Sequence, residues 1–299
     1  MRATAASLGV FLVTGLALTG CATIKPGGNG PVVVTTTTML GSVVGDIVEC
    51  AGGTEETLMP VGVDPHDFSA SSRQVAQMAE AQLVIANGLG LEEGLADAIG
   101  SAEAEGARVM EVAPRVDPIP FGDGSLDPHF WHDVSRMAAA ASLIGSKLAE
   151  VTGVDAYADC GGEVRDALMT TDREVRDILA VVPPERRMLV TDHDAFGYFA
   201  EAYDFEIAGV VIPGGSTLAE PSSEELASLV DVIRAKGVPA IFSNIADSRP
   251  VTEAVAAEAG AEVGVVELFV GSLGAEGSGA ETYAGMVLTN ARLIAEALG

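Results

Sequence analysis

Short β-branched runs alternate with helix-forming stretches in two series along this chain, and one long amphipathic stretch separates the series. That alternation leaves few folds open, because strands connected through helices pair in parallel and need helices over their faces. The first series opens with Pro31-Val-Val-Val-Thr-Thr-Thr-Thr38, which reads as a buried parallel strand. Helical spacing follows over residues 41–50 (Val43, Val44, Ile47, Val48), then a strand over 56–59 that ends at Pro60. A helix over 71–81, a strand over 83–86, a helix over 91–104 and a strand over 108–112 complete the series. Residues 131–152 read as helix, and residues 163–182 carry Val164, Ala167, Leu168, Val175, Ile178 and Leu179 at the spacing of one long amphipathic helix. Pro183-Pro184 stops it. The second series has strands over 187–191, 205–212, 240–244 and 263–269, with helices over 195–203, 222–235, 251–259 and 282–298. The expected fold is α/β: two parallel-sheet lobes, residues 31–154 and 183–299, joined by a long rigid linking helix over 155–182. The length suffices for two lobes with their own cores.

The N-terminus bears on compartment. Met1-Arg2 precedes an apolar stretch over residues 8–18 that ends in Leu18-Thr19-Gly20-Cys21. A transmembrane helix needs about 20 apolar residues, so residues 1–20 read as a secretory signal peptide. The ending resembles a bacterial lipobox, which implies cleavage before Cys21, lipid on that cysteine, and residues 21–30 as a tether. The chain is then extracytoplasmic and attached to the membrane through lipid alone. An ordinary signal peptide with an incidental cysteine is the alternative. Cys50 and Cys160 remain, and an even remainder outside the cytoplasm suggests a disulfide. Two buried free thiols, or a pair of metal ligands, are the other readings. Lys and Arg number 16 against 43 Asp and Glu, a net charge of −27, which speaks against a nucleic-acid partner.

Histidine is scarce: the chain has 4. Two stand in the repeated triplets Asp64-Pro65-His66 and Asp127-Pro128-His129, and His193 lies between Asp192 and Asp194. A lone histidine after a strand is more often a surface or core residue, but repetition beside aspartate weighs against that reading. Neutral imidazoles oriented by carboxylates are how proteins build transition-metal sites. His66 and His193 follow predicted strands, one in each series, where ligands of open parallel sheets sit. His129 follows the loop over 114–126, so the three can meet in a cleft between the lobes. His132 comes three residues after His129, within reach of a shared metal on one helical face, with a rim or outer position as the plainer reading.

Several motifs run in order along the chain: Val61-Gly-Val-Asp-Pro-His-Asp-Phe68, Ile85-Ala-Asn-Gly-Leu-Gly-Leu91, Asp127-Pro-His-Phe-Trp131, Leu189-Val-Thr-Asp-His-Asp-Ala-Phe-Gly-Tyr198, Ala219-Glu-Pro-Ser-Ser-Glu-Glu225, and Ser272-Leu-Gly274 followed by Thr282-Tyr283. Together, over residues 31–299, they resemble the zinc/manganese-type (cluster A-I) solute-binding lipoproteins of metal ABC importers. The resemblance implies two α/β lobes, a rigid linking helix, and a divalent cation held between the lobes by His66, His129 and His193. It implies a monomeric receptor that hands its ion to an ABC permease and performs no catalysis. His132 falls where the family usually has no ligand. Gly271 stands where the family often supplies a ligating Asp before Ser272-Leu-Gly274. Glu267, four residues back along a strand, would lie about 13 Å from that position. A water, or an acid from the loop over 274–281, is the expected substitute. Three imidazoles favour Zn²⁺ over Mn²⁺, which prefers oxygen-rich shells. Two other readings stand beside the receptor. One is a surface adhesin that uses the metal structurally. The other is a zinc hydrolase that activates water at an open position, although no H-E-x-x-H motif marks a general base.

Overall fold

Val33, Val34 and Thr35 are fully buried and form β1 (Val33–Thr35), an inner strand of the first sheet. The computed structural model describes residues 33–122, 124–246 and 250–299, so the signal peptide, the tether and Cys21 lie outside the described residues. The expected first strand is shortened because its threonines divide the work. Thr37 caps α1 (Thr38–Cys50), its side chain accepting the Leu40 N–H at 3.3 Å, and Thr38 is already helical.

The first sheet adds β2 (Glu55–Thr57), β3 (Leu83–Ala86) and β4 (Val109–Glu111) in the order β2-β1-β3-β4, every pair parallel. Helices α2 (Ser72–Glu80) and α3 (Ala96–Ala104) connect its later strands. The second sheet repeats the plan. Strands β5 (Met188–His193), β6 (Glu206–Ile212), β7 (Ala240–Asn244) and β8 (Gly264–Leu268) lie in the order β6-β5-β7-β8, again all parallel. In each sheet the strand order reverses beside the first strand, and the crevice at the carboxyl ends there is where such sheets bind ligands. The fold is two parallel-sheet α/β lobes.

Between the sheets in sequence stand α4 (Val134–Thr152) and α5 (Ala156–Leu179). α5 runs 24 residues and starts earlier than its apolar spacing predicts. Gly161 interrupts that spacing because it serves a close helix crossing. A Cβ there would lie 2.8 Å from the Ala141 carbonyl oxygen, and one on Gly145 would lie 2.5 Å from that of Tyr157. Cys50 and Cys160 are joined by a disulfide, Cα–Cα 6.0 Å, which ties the end of α1 to α5.

The core differs from the expectation of one per lobe. Alternate residues of each strand face opposite ways. Val33, Leu83, Ile85, Leu189 and Phe242 enter one continuous core with α1, α4, α5, α6 (Gly197–Tyr203) and α9 (Tyr283–Leu298). Val34 and Val84 face a small outer core under α2 and α3. Val190 and Ile241 face another under α7 (Ser223–Lys236) and α8 (Pro250–Ala259). The lobes therefore share their largest core. Among the described residues no helix is long and apolar enough to cross a membrane.

Candidate metal centre

His193 is the last residue of β5, His66 lies in the loop after β2, and His129 lies in the segment leading to α4. The structure brings these three together. One ring nitrogen of each lies within 4.8 Å of the others, and all three residues are buried. The Nε2 atoms of His66 and His129 are 3.3 Å apart. Two nitrogens bound to one tetrahedral ion at about 2.0–2.1 Å would stand about 3.3 Å apart.

Local chemistry sets each residue's course. In both triplets the proline offers no N–H, and the aspartate Oδ1 accepts the N–H of the histidine two residues on, at 3.0 Å for Asp64–His66 and 2.8 Å for Asp127–His129. Asp127 Oδ1 also lies 2.8 Å from His129 Nδ1. Asp192 Oδ1 lies 3.0 Å from His193 Nδ1 and accepts the His193 N–H at 2.7 Å, while Oδ2 accepts the Asn244 N–H and so links the ends of β5 and β7. A carboxylate beside Nδ1 keeps the proton there and turns the Nε2 lone pair inward.

Electrostatics favour neutral rings at His66 and His129. Burial pulls His66 below the usual histidine range, and burial with the neighbouring His193 and His66 pulls His129 well below it. Burial pushes the Asp127 carboxyl up to about 8, opposed by the hydrogen bond from the His129 N–H. A divalent cation at Nε2 would favour the ionised carboxylate with the proton on Nδ1. Burial also raises Asp194.

Two cavities flank the triad. One, of about 500 Å³, is lined by Asp64, Asp67, His193, Thr217, Glu220 and Ser243 among others. The other, of about 410 Å³, is lined by Glu93, Phe121, Ser125, Leu126, Asp194 and Ser216 among others, residues drawn from both lobes and from the segment between β4 and α4.

His132 is not part of the cluster. It is 4 % exposed and stacks on Phe196 with ring centroids 4.5 Å apart, so it is a packed aromatic rather than a rim residue. Neither Glu267 nor an acid of the loop over 274–281 joins the cluster. Glu276 is exposed, and Glu281 turns back to accept the Gly277 N–H at 2.6 Å. Gly271 is closed off as well, because a Cβ there would lie 2.9 Å from Pro65 Cδ.

Sequence reasoning missed the supports. Asn87, within the Ile85–Leu91 motif but given no role there, donates from Nδ2 to the Pro128 carbonyl at 2.9 Å. Glu92 is buried and accepts the Thr36 hydroxyl and the Asn87 and Gly88 N–H groups, which shapes that turn. The Tyr198 hydroxyl donates to the Asp127 carbonyl at 2.7 Å. The Thr36 partner of Glu92 and the Asp127 partner of Tyr198 are distant in sequence, so no local signal marks those two bonds.

The family model of the periplasmic zinc-uptake complex component A, ZnuA, matches residues 33–297. The chain is 32% identical over 279 residues to the zinc-binding protein TroA of Treponema pallidum, covering 90% of this chain and 89% of that one. It is 31% identical over 305 residues to the manganese-binding lipoprotein MntA of Bacillus subtilis, covering 97% and 98%. The solved structure of the periplasmic zinc-binding protein TroA superposes with a TM-score of 0.83 at 31% identity, covering 90% of this chain and 99% of that one.

Proposed function

This chain belongs to the family of the periplasmic zinc-uptake complex component A, and from that premise we propose that it is the metal-capturing, substrate-binding component of an ABC importer. The reading favours Zn²⁺ as the transported substrate, with Mn²⁺ second, bound by His66, His129 and His193. The convergence of three buried imidazoles, two of whose Nε2 atoms stand 3.3 Å apart, carries it. Among the described residues the cluster offers three nitrogens and no carboxylate, a set that suits zinc better than manganese, which prefers oxygen. With Gly271 packed on Pro65, the fourth position falls to water or another small ligand.

The residues have separate tasks. Burial favours the neutral form of the His66 and His129 rings, so protons compete less for their Nε2 atoms near pH 7. Asp127 and Asp192 fix ring orientation and hold the Nδ1 protons. No bond in the substrate is made or broken, which is the work of a receptor rather than an enzyme. The adhesin and hydrolase readings gain no support from the family. The chain is read as a monomer anchored outside the membrane through lipid on Cys21. Lobes at residues 31–154 and 183–299, joined over 155–182, deliver the ion to a permease.

The test is metal content by mass spectrometry on protein lacking residues 1–21, beside a His66→Ala/His129→Ala double variant. Near-stoichiometric zinc that is lost in the double variant is the expected result. A wild-type chain that stays metal-free after incubation with Zn²⁺ and Mn²⁺ overturns the reading.

A further inference from the structure

The three rings of the triad differ in how their outer nitrogen is held. His129 Nδ1 and His193 Nδ1 each face a buried carboxylate of their own segment, at 2.8 and 3.0 Å. His66 Nδ1 is buried and has no hydrogen-bond partner. Asp64, which stands in the first triplet where Asp127 stands in the second, is committed elsewhere. Its Oδ1 accepts the His66 backbone N–H and its Oδ2 accepts the Thr217 hydroxyl. The carboxylate facing the bare nitrogen belongs to another segment: Glu93 Oε1 lies 3.7 Å from His66 Nδ1. Glu93 opens the short 3-10 turn before α3, its side chain is 45% exposed, and it lines the cleft of about 410 Å³ between the lobes. A shift of less than about 1 Å would bring it to hydrogen-bond distance.

We propose that Glu93 is the positioning residue of His66: its carboxylate closes onto His66 Nδ1–H when the cation is bound and withdraws to solvent when the cation leaves. The inference rests on the reading of the triad as a metal site. Asp127 and Asp192 are buried and fixed, whereas Glu93 can exchange its partner for water. A metal-ligating histidine without a held Nδ1–H is a poorer, less oriented donor. His66 is therefore the ligand that detaches first, and the hold of the Glu93 carboxylate on its ring governs how fast the ion is released.

The experiment compares wild type with Glu93→Ala and Glu93→Gln, each loaded with zinc. Zinc release is followed by stopped-flow transfer to a chromophoric chelator, and the ring N–H groups are followed by nitrogen-resolved NMR. In Glu93→Ala, release should quicken roughly 10–100-fold, and the His66 Nδ1–H signal should be lost to exchange with water while that of His129 persists. Glu93→Gln keeps an acceptor oxygen and should recover most of both. Unchanged release and a persisting His66 signal in Glu93→Ala, with zinc still bound, overturn this proposal alone. A wild-type chain that takes up no zinc overturns the metal reading and this proposal with it.

Discussion

Asp64-Pro65-His66 and Asp127-Pro128-His129 are the same three residues in two different settings. The backbone is alike in both, with the aspartate taking the histidine N–H across the proline. The surroundings are not. The second triplet is sunk in the protein. Asp127 is 1% exposed and holds its ring, Tyr198 and Asn87 bond the Asp127 and Pro128 carbonyls, and Trp131 Nε1 donates to the Val270 carbonyl at 2.9 Å. The Tyr283 hydroxyl closes the segment from α9, donating to the Trp131 carbonyl at 2.6 Å. The first triplet lies at the cleft lip. Val61 beside it is 49% exposed, and the Gly62 N–H to Ser272 Oγ and the Thr217 hydroxyl to Asp64 tie it to the other lobe. Local sequence fixes the turn; the tertiary surroundings decide whether the ring is held.

The sharpest way to break that contrast is to truncate one apolar residue beside each triplet. Trp131→Ala removes a fully buried indole and should cost about 3–5 kcal/mol of stability, measured by denaturant unfolding, with His129 displaced and zinc affinity lowered. Val61→Ala, at an exposed position, should fall within about 0.5 kcal/mol of wild type. Equal losses at the two positions would mean that the lip is as structural as the core.

Acid should separate the regions next. His132, just beyond the second triplet, is packed on Phe196, and burial pulls its pKa down to about 3. The unfolded chain takes up that proton near pH 6.5, the folded chain only near 3. His132 therefore lowers stability as pH falls across that window, by about 1.4 kcal/mol per pH unit, and has no such effect above it. His132→Phe removes this loss, so the acid unfolding midpoint should move to lower pH while zinc stoichiometry stays unchanged. An unmoved midpoint would mean that His132 is not buried in neutral form.

Much of this was legible in the sequence, for reasons that can be named. Strand 240–244 and the other alternating runs were readable because sheet and helix impose different periods. The triad was readable because its histidines are few and lie beside aspartates. What was not readable depends on residues distant in sequence. The close approach of α5 to α4 follows from Gly161 meeting Gly145. The shared core follows from how the two sheets face α5 and α9. His132 leaves the site because Phe196 covers it, and Gly271 is closed because Pro65 fills its space. The four threonines looked like one strand because β propensity does not register that Thr37 can cap a helix.

Exchanging the two aspartates tests the triplets themselves. Asp127→Ala removes the acceptor of both the His129 N–H and its ring, and zinc affinity should fall about 10–100-fold. Asp64→Ala leaves the ring of His66 as it was, since Asp64 does not touch it, and should cost less, by loosening the turn alone. Competition against a chelator of known affinity measures both. Losses of the same size would show that the turn, rather than the hold on the ring, is what each aspartate contributes.

The smallest expected change in zinc affinity lies at the Thr217 hydroxyl that Asp64 accepts from the other lobe. Thr217 sits in the loop after β6 and donates to Asp64 Oδ2, so Thr217→Val removes the donor and keeps the shape. Asp64 is only half-buried, so water can replace the lost hydroxyl and the cost should stay near 1 kcal/mol, about fivefold in zinc affinity. The Oδ1 bond to the His66 N–H survives the change, so the turn should persist. If Thr217→Val matched Asp127→Ala instead, the first triplet would owe its geometry to the opposite lobe. The identical tripeptides would then share a sequence but not even the cause of their common backbone.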